Sequence, residues 1–457
     1  MSGVLRSKAS RVAALFTLVI GGLTFCCWRA MQPKIRTASE AEIRALLPPE
    51  LLKETPIDFA AQERFKRLVE LANGFDRKIV GNLHTPMLPA TERNEIAHRF
   101  WSANPHLLSN LNSVLDAGLV QSPIYKLGDM REMDDFSSLR LISKLMATSA
   151  KAYAASGEYP TAVKMLSSGV MLGDRLRRSC GTLIDYFVVV AVDEMTLQAL
   201  VDIVSTSGFP VSASRSLLSH LPQSPNPDDD LVSAIRTDFQ RFTLDRLPDV
   251  TRPIETIFSS NVQDPEVKKP IVGTYDALET ARIVGRTLNV AILNARRPLS
   301  QFDRSERAVI ENEGDGLPNE VNAERPDGYS KSWDELKYKL LMDNTRNSLG
   351  RRLLSTDVLS SPDIVEISDR WRAYRDTIRV LLASRIYRSA HAGRLPDTVE
   401  GFVPILGAWP TDPFNGKPMI YNREKGMAYS VGSNLVDDGG KIAKGWMSKD
   451  VGVSLGK

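Results

Sequence analysis
The stretch Trp409-Pro410-Thr411-Asp412-Pro413-Phe414-Asn415-Gly416-Lys417-Pro418 lies within the one region of this sequence with a decodable plan, Trp371 to Lys441. Its prolines and its Asn415-Gly416 pair exclude regular structure and specify turns. Upstream, Trp371, Tyr374, Ile378, Leu381 and Leu382 recur at the spacing of an amphipathic helix. Gly393 supplies the stop for that helix, with Pro396 just beyond it. Downstream, Met419 to Asn422 and Met427 to Val431 read as two short strands. They flank Arg423-Glu424-Lys425-Gly426, where the glycine suits a positive φ. The acidic, glycine-rich loop Gly432-Ser433-Asn434-Leu435-Val436-Asp437-Asp438-Gly439-Gly440 follows.

Three motifs in this order resemble a known family: Gly393-Arg394-Leu395-Pro396-Asp397, then Asp412-Pro413-Phe414-Asn415-Gly416-Lys417-Pro418, then Tyr429-Ser430-Val431-Gly432. They are similar to the C-terminal part of the major pseudopilin of bacterial type II secretion. The resemblance runs from roughly Ile378 to Lys441, about one-seventh of the chain. It implies a helix leading into a small sheet, and a calcium site in the acidic loop after the last strand. The residues that match are Ser433, Asn434, Asp437 and Asp438, with Asn434 standing where the family has an acidic residue. Calcium takes six to eight oxygen ligands, which side chains and free loop carbonyls supply. Read without the resemblance, the same residues make a metal-free Asp-Gly turn.

The segment from Val12 to Trp28 carries no charge over seventeen residues and is bracketed by Arg11 and Arg29. That length is at the short end of a bilayer span, so the segment reads as an uncleaved anchor or a signal peptide. Cys26, Cys27 and Trp28 disfavour a small-x-small cleavage site, and Phe25 before Cys26 disfavours lipidation. Phe16-Thr17-Leu18-Val19-Ile20 echoes the start of a mature pseudopilin, but Leu15 and Ile20 replace that family's cleavage-site glycine and its glutamate. The expectation is a single-pass protein of the bacterial inner membrane, with the bulk of the chain outside the cytoplasm. Basic residues are nearly balanced across the span, so orientation is argued from the tip rather than from charge.

The net charge of +3 and dispersed basic residues exclude an electrostatic nucleic-acid binder. Three cysteines, two of them in the apolar segment, exclude a disulfide framework. The expected fold class is mainly α. It comprises an N-terminal transmembrane helix, a multi-helical body of hairpin or solenoid type, and a small C-terminal α+β tip with a β-hairpin. The expected divisions are a tail and anchor at 1–36, a helical body at 37–300, a polar linker at 301–331, a helical connector at 332–370 and the tip at 371–457.

Within the body, Pro56 opens a helix carrying Phe59 and Phe65, and Asn104-Pro105 opens one stopped by Gly118. The segment 137–207 is densest: one helix stops at Gly157, Pro160 reopens a second, and Leu183 to Val204 forms a third. Gly157, Tyr159, Ala162 and Leu166 have tetratricopeptide spacing, but a generic helical hairpin explains a single unit better. Asp185, Asp193, Glu194 and Asp202 interrupt the third segment too often for a membrane span, which makes it a buried central helix. Leu231 to Leu247 and Thr274 to Arg297 are two further helices.

No H-E-x-x-H, nucleophile elbow, phosphate loop or dinucleotide fingerprint occurs. Asp129, Glu132, Asp134 and Asp135 cluster within seven residues and are candidates for a metal or carboxylate site, or for a solvated helix start. Arg372, Arg375 and Arg379 read as a solvated basic stripe, with anionic lipid as a conceivable partner. The reading is a non-enzymatic, membrane-anchored envelope protein whose body binds an unidentified envelope protein, with no nucleic acid and no small-molecule substrate implied. The alternative is an exported hydrolase using carboxylates of the body.

Overall fold
Regular structure in the chain is mainly helical, with a small antiparallel sheet near the C-terminus. The computed structural model describes residues 35–54, 56–75, 89–123, 131–179, 181–206, 208–224, 229–244, 247–248, 274–303, 347, 362–442 and 449–456. The expected anchor at 12–28, Asp129, the polar linker beyond 303 and the connector as far as 361 lie outside the described residues. Among the described residues, no helix is long and apolar enough to cross a membrane.

In chain order the elements are β1 (Ile35–Arg36), α1 (Glu40–Leu46), α2 (Pro49–Leu52), α3 (Phe59–Asn73), α4 (Ala90–Ala103), α5 (Leu107–Asp116) and α6 (Arg131–Ala155). There follow α7 (Tyr159–Arg177), α8 (Leu183–Val204), α9 (Val211–His220), α10 (Asp229–Phe242), β2 (Tyr275–Asp276) and α11 (Ala277–Ala295). The last group is α12 (Pro362–Ala390), α13 (Val403–Leu406), β3 (Ile420–Asn422), β4 (Met427–Ser430) and β5 (Val451–Ser454). The described residues divide into two units, one from those within 1–52, 241–289 and 304–360, the other from those within 53–240, 290–303 and 361–457.

In the first unit, β1 pairs in parallel with β2 through Ile35 opposite Tyr275 and Arg36 opposite Asp276. Ser39 and Glu42 close a capping box at the start of α1, satisfying two backbone N–H groups the helix leaves free. The buried Tyr275 hydroxyl donates to the Leu247 carbonyl at 2.6 Å.

The second unit is built around α8. Thr182 caps it in a capping box with Asp185, and its apolar run is buried against α6, α7 and α12. The bounds Leu183 to Val204 and the central placement match the sequence reading. Gly173 of α7 lets α8 come close, because a Cβ there would stand 2.7 Å from Asp193 Oδ1. The hairpin of α6 and α7 turns at Gly157, whose φ is +81°. The start expected at Pro56 is displaced: Asp58 accepts from the Ala61 N–H at 3.0 Å and caps α3, so Phe59 falls in the first turn and stands 75% exposed.

Helix α12 runs unbroken through the boundary expected at 370/371. It packs on α8 and α9 and on β4 and β5, and its middle is buried almost throughout. This corrects the basic stripe: Arg372, Arg375 and Arg379 are 6%, 1% and 8% exposed, and Asp369 and Asp376 are buried beside them. The strands β3 and β4 pair antiparallel from Ile420–Tyr429 to Asn422–Met427, with Gly426 at φ +59° in the connection. A third strand, β5, adds to the other edge of β4, so the sheet is larger than the hairpin expected. Ala373, Phe414, Met419, Val431 and Val451 form the core between helix and sheet, while Ile378, Leu382 and Ile386 are buried along α12.

Candidate functional site
The acidic loop after β4 is ordered by hydrogen bonds of its own. Tyr429 Oη donates to Asp437 Oδ1 at 3.0 Å, and the Gly439 N–H donates to the same oxygen at 2.8 Å. Asn434 Nδ2 donates to Asp438 Oδ2 at 2.7 Å, and Lys449 Nζ lies 3.8 Å from Asp438 Oδ1. Ser433 Oγ accepts from Arg370 Nη2 at 3.4 Å. The four residues expected as ligands thus share one loop, but their oxygens point to separate donors. Among the described residues, no three acidic, histidine or cysteine side chains gather as a metal-binding group. Burial, and the hydrogen bond to Asp437, push the Tyr429 phenol up to about 12.

Asp450, just before β5, is the residue the sequence reading missed. Its side chain is fully buried and accepts from the Asp438, Gly440 and Lys441 N–H groups at 3.4, 2.8 and 3.0 Å. Burial pushes its carboxyl above the usual range, while these three N–H groups oppose that shift. Only its position ahead of the Val451-Gly452-Val453 alternation hinted at a structured place. The loop crest carries Leu435 and Val436, 42% and 55% exposed, with Leu435 at φ +59°.

A second carboxylate, Asp412, organises the turn preceding β3. Its Oδ1 accepts from the Phe414 N–H at 2.9 Å and Ser430 Oγ at 2.8 Å, and its Oδ2 from the Val431 N–H at 2.9 Å. The turn closes on itself through Asp412 N–H to the Lys417 carbonyl at 2.7 Å. The Asp-Pro-Phe-Asn-Gly motif therefore ties the turn to the end of β4.

The helical body holds a buried ionic cluster. Asp193 Oδ2 accepts from Arg375 Nη1 at 3.0 Å and from Trp371 Nε1 at 2.8 Å. The Trp371 ring lies 5.0 Å from the Arg177 guanidinium and 5.5 Å from that of Arg375, within cation–π range. Arg177 also pairs with Asp230 and, at 3.3 Å, with Asp174. Burial raises Asp193 above the usual carboxylate range, with Arg375 acting against it. The signal was present in the sequence, since charges in the apolar run of α8 need partners. A cavity of about 280 Å³ adjoins the cluster, lined by Arg177, Arg178, Arg375, Asp229 and Asp230. In the first unit a cavity of about 480 Å³ is lined by Pro48, Glu279, Arg282, Ile283 and Arg286.

Of the acids expected as a carboxylate site, the described Asp134 and Asp135 line neither cavity. Asp134 is exposed and Asp135 half-buried, in the opening turns of α6, where Glu132 also lies. His98 packs edge-on against the Tyr153 ring with centroids 4.4 Å apart, and His106 precedes α5 without a side-chain cap. No family model, curated protein or solved structure matches the chain.

Proposed function
We propose that the chain is a non-enzymatic envelope protein of the bacterial inner membrane, anchored through 12–28, whose body and pseudopilin-like tip bind another protein outside the cytoplasm. One observation carries this reading: the loop after β4 holds two adjacent aliphatic side chains, Leu435 and Val436, out into solvent on an internally bonded frame. Exposed aliphatics on a rigid support suit a protein partner, because little conformational entropy is lost on docking. The hydrolase alternative needed acids near Asp129 at a pocket floor, and the surface placement of Asp134 and the half-burial of Asp135 speak against it. Among the deeply buried carboxylates, Asp193 and Asp412 are engaged by N–H and hydroxyl donors of the scaffold.

The test places a photo-crosslinking residue at position 436 of the full chain in intact cells. A discrete protein adduct, retained in the membrane fraction and lost on Leu435→Asp, is expected. Absence of any protein adduct from positions 435 and 436 overturns the reading.

A further inference from the structure
We infer that the loop from Gly432 to Gly440 keeps its shape without calcium, because a carboxylate from within the chain, Asp450, closes it and Lys425 supplies its cation. A calcium loop turns oxygens inward on the ion. This loop turns N–H groups inward instead: those of Asp438, Gly440 and Lys441 converge on Asp450, which is fully buried. Its centre is therefore an anion receptor already filled by a side chain. The carbonyl of Gly439 faces Lys425 Nζ at 2.5 Å, so an ammonium stands where a loop carbonyl would otherwise face a metal ion.

The side chains implied as ligands are spent in the same sense. Asp437 Oδ1 is taken by the Tyr429 hydroxyl and the Gly439 N–H, and Asp438 faces Asn434 Nδ2 and Lys449 Nζ. Asn434, where the family has an acid, fits this arrangement because its amide donates to Asp438, which a second carboxylate could not do. The pair of residues at the crest plays no part in the closure, so the inference stands or falls separately from partner binding.

The experiment follows amide hydrogen exchange of the peptide spanning 432–442 in the full-chain protein, once in excess calcium and once in chelator. Equally slow exchange in both is expected, with Asp450→Asn speeding it several-fold in both and Lys425→Met speeding it less. Protection that appears with calcium and vanishes in chelator overturns the inference, as does Asp450→Asn exchange equal to that of the parent. Lys425→Met alters an exposed side chain and so keeps the test informative if Asp450→Asn does not fold; unchanged exchange in it overturns the role given to the lysine.

Discussion

The Trp371 indole donates its Nε1 hydrogen to Asp193 Oδ2 at 2.8 Å, joining α12 to the centre of α8. The same oxygen takes Arg375 Nη1 at 3.0 Å, and Tyr186 Oη adds a bond to Ser368 Oγ at 2.9 Å between the same two helices. Two helices that each carry charge into a buried interface are thereby fixed in one register, since sliding either would strand a carboxylate. The tip and the helical body share α12, so this register also sets where the sheet begins.

Arg375→Met is expected to destabilise the second unit by about 3–5 kcal/mol at neutral pH, because it leaves Asp193 buried without its cation. The pH dependence follows from the raised pKa of Asp193. A carboxyl that binds its proton more readily folded than unfolded loses stability as pH rises from the unfolded value, near 3.8, through the folded one. Removing the guanidinium raises the folded value further. Denaturation midpoints of parent and variant should therefore lie closest in acid and diverge towards neutrality; a constant gap would contradict the account.

Gly173→Ala is expected to cost about 1–3 kcal/mol, the usual range for overpacking. The new methyl group would stand 2.7 Å from Asp193 Oδ1 and 2.9 Å from its Cβ, so α7 and α8 must separate or the carboxylate must leave Trp371. Near-ultraviolet dichroism of the tryptophans together with urea unfolding reads both consequences. A variant as stable as the parent would show that this close approach does not matter.

Asp412→Asn keeps the size of the side chain but gives it a donor where the chain offers donors. The amide nitrogen must then face the Val431 N–H or the Phe414 N–H, leaving at least one buried donor unmade, at about 1–3 kcal/mol. Faster exchange of the β3 and β4 amides, with α6 to α8 unchanged, is the expected pattern.

What was legible in the sequence was what local chemistry decides. The turns at Asn415-Gly416 and Gly426, the helix bounds of α8 and the stop after α12 all rest on residues that act within a few positions of themselves. The third strand and Asp450 were missed because pairing Met427–Ser430 with Val451–Ser454 bridges a long connection that no local pattern announces. The arginines of α12 were misread for a related reason. Periodicity places Arg372, Arg375 and Arg379 beside an apolar face, but does not tell that neighbours cover every side of the helix. Their acidic partners lie partly on α12 itself, as Asp369, and partly on α8, as Asp193, and the second kind is visible only in three dimensions.

Leu435→Gly separates display from stability. Leu435 adopts φ +59°, a left-handed conformation that costs an L side chain roughly 1–2 kcal/mol relative to glycine. Its side chain is 42% exposed, so removal forfeits little buried surface, while the looser unfolded chain of a glycine variant offsets part of the relief. The variant should therefore unfold at a midpoint equal to or slightly above that of the parent. If the crest exists to meet a partner, the same substitution should weaken the adduct formed from position 436, because the neighbouring aliphatic side chain of Leu435 is gone from the crest. Thermal unfolding of the full chain and crosslinking yield in intact cells are the two measurements. A lower midpoint with undiminished crosslinking would mean that Leu435 packs for the fold and that the crest is not the docking surface.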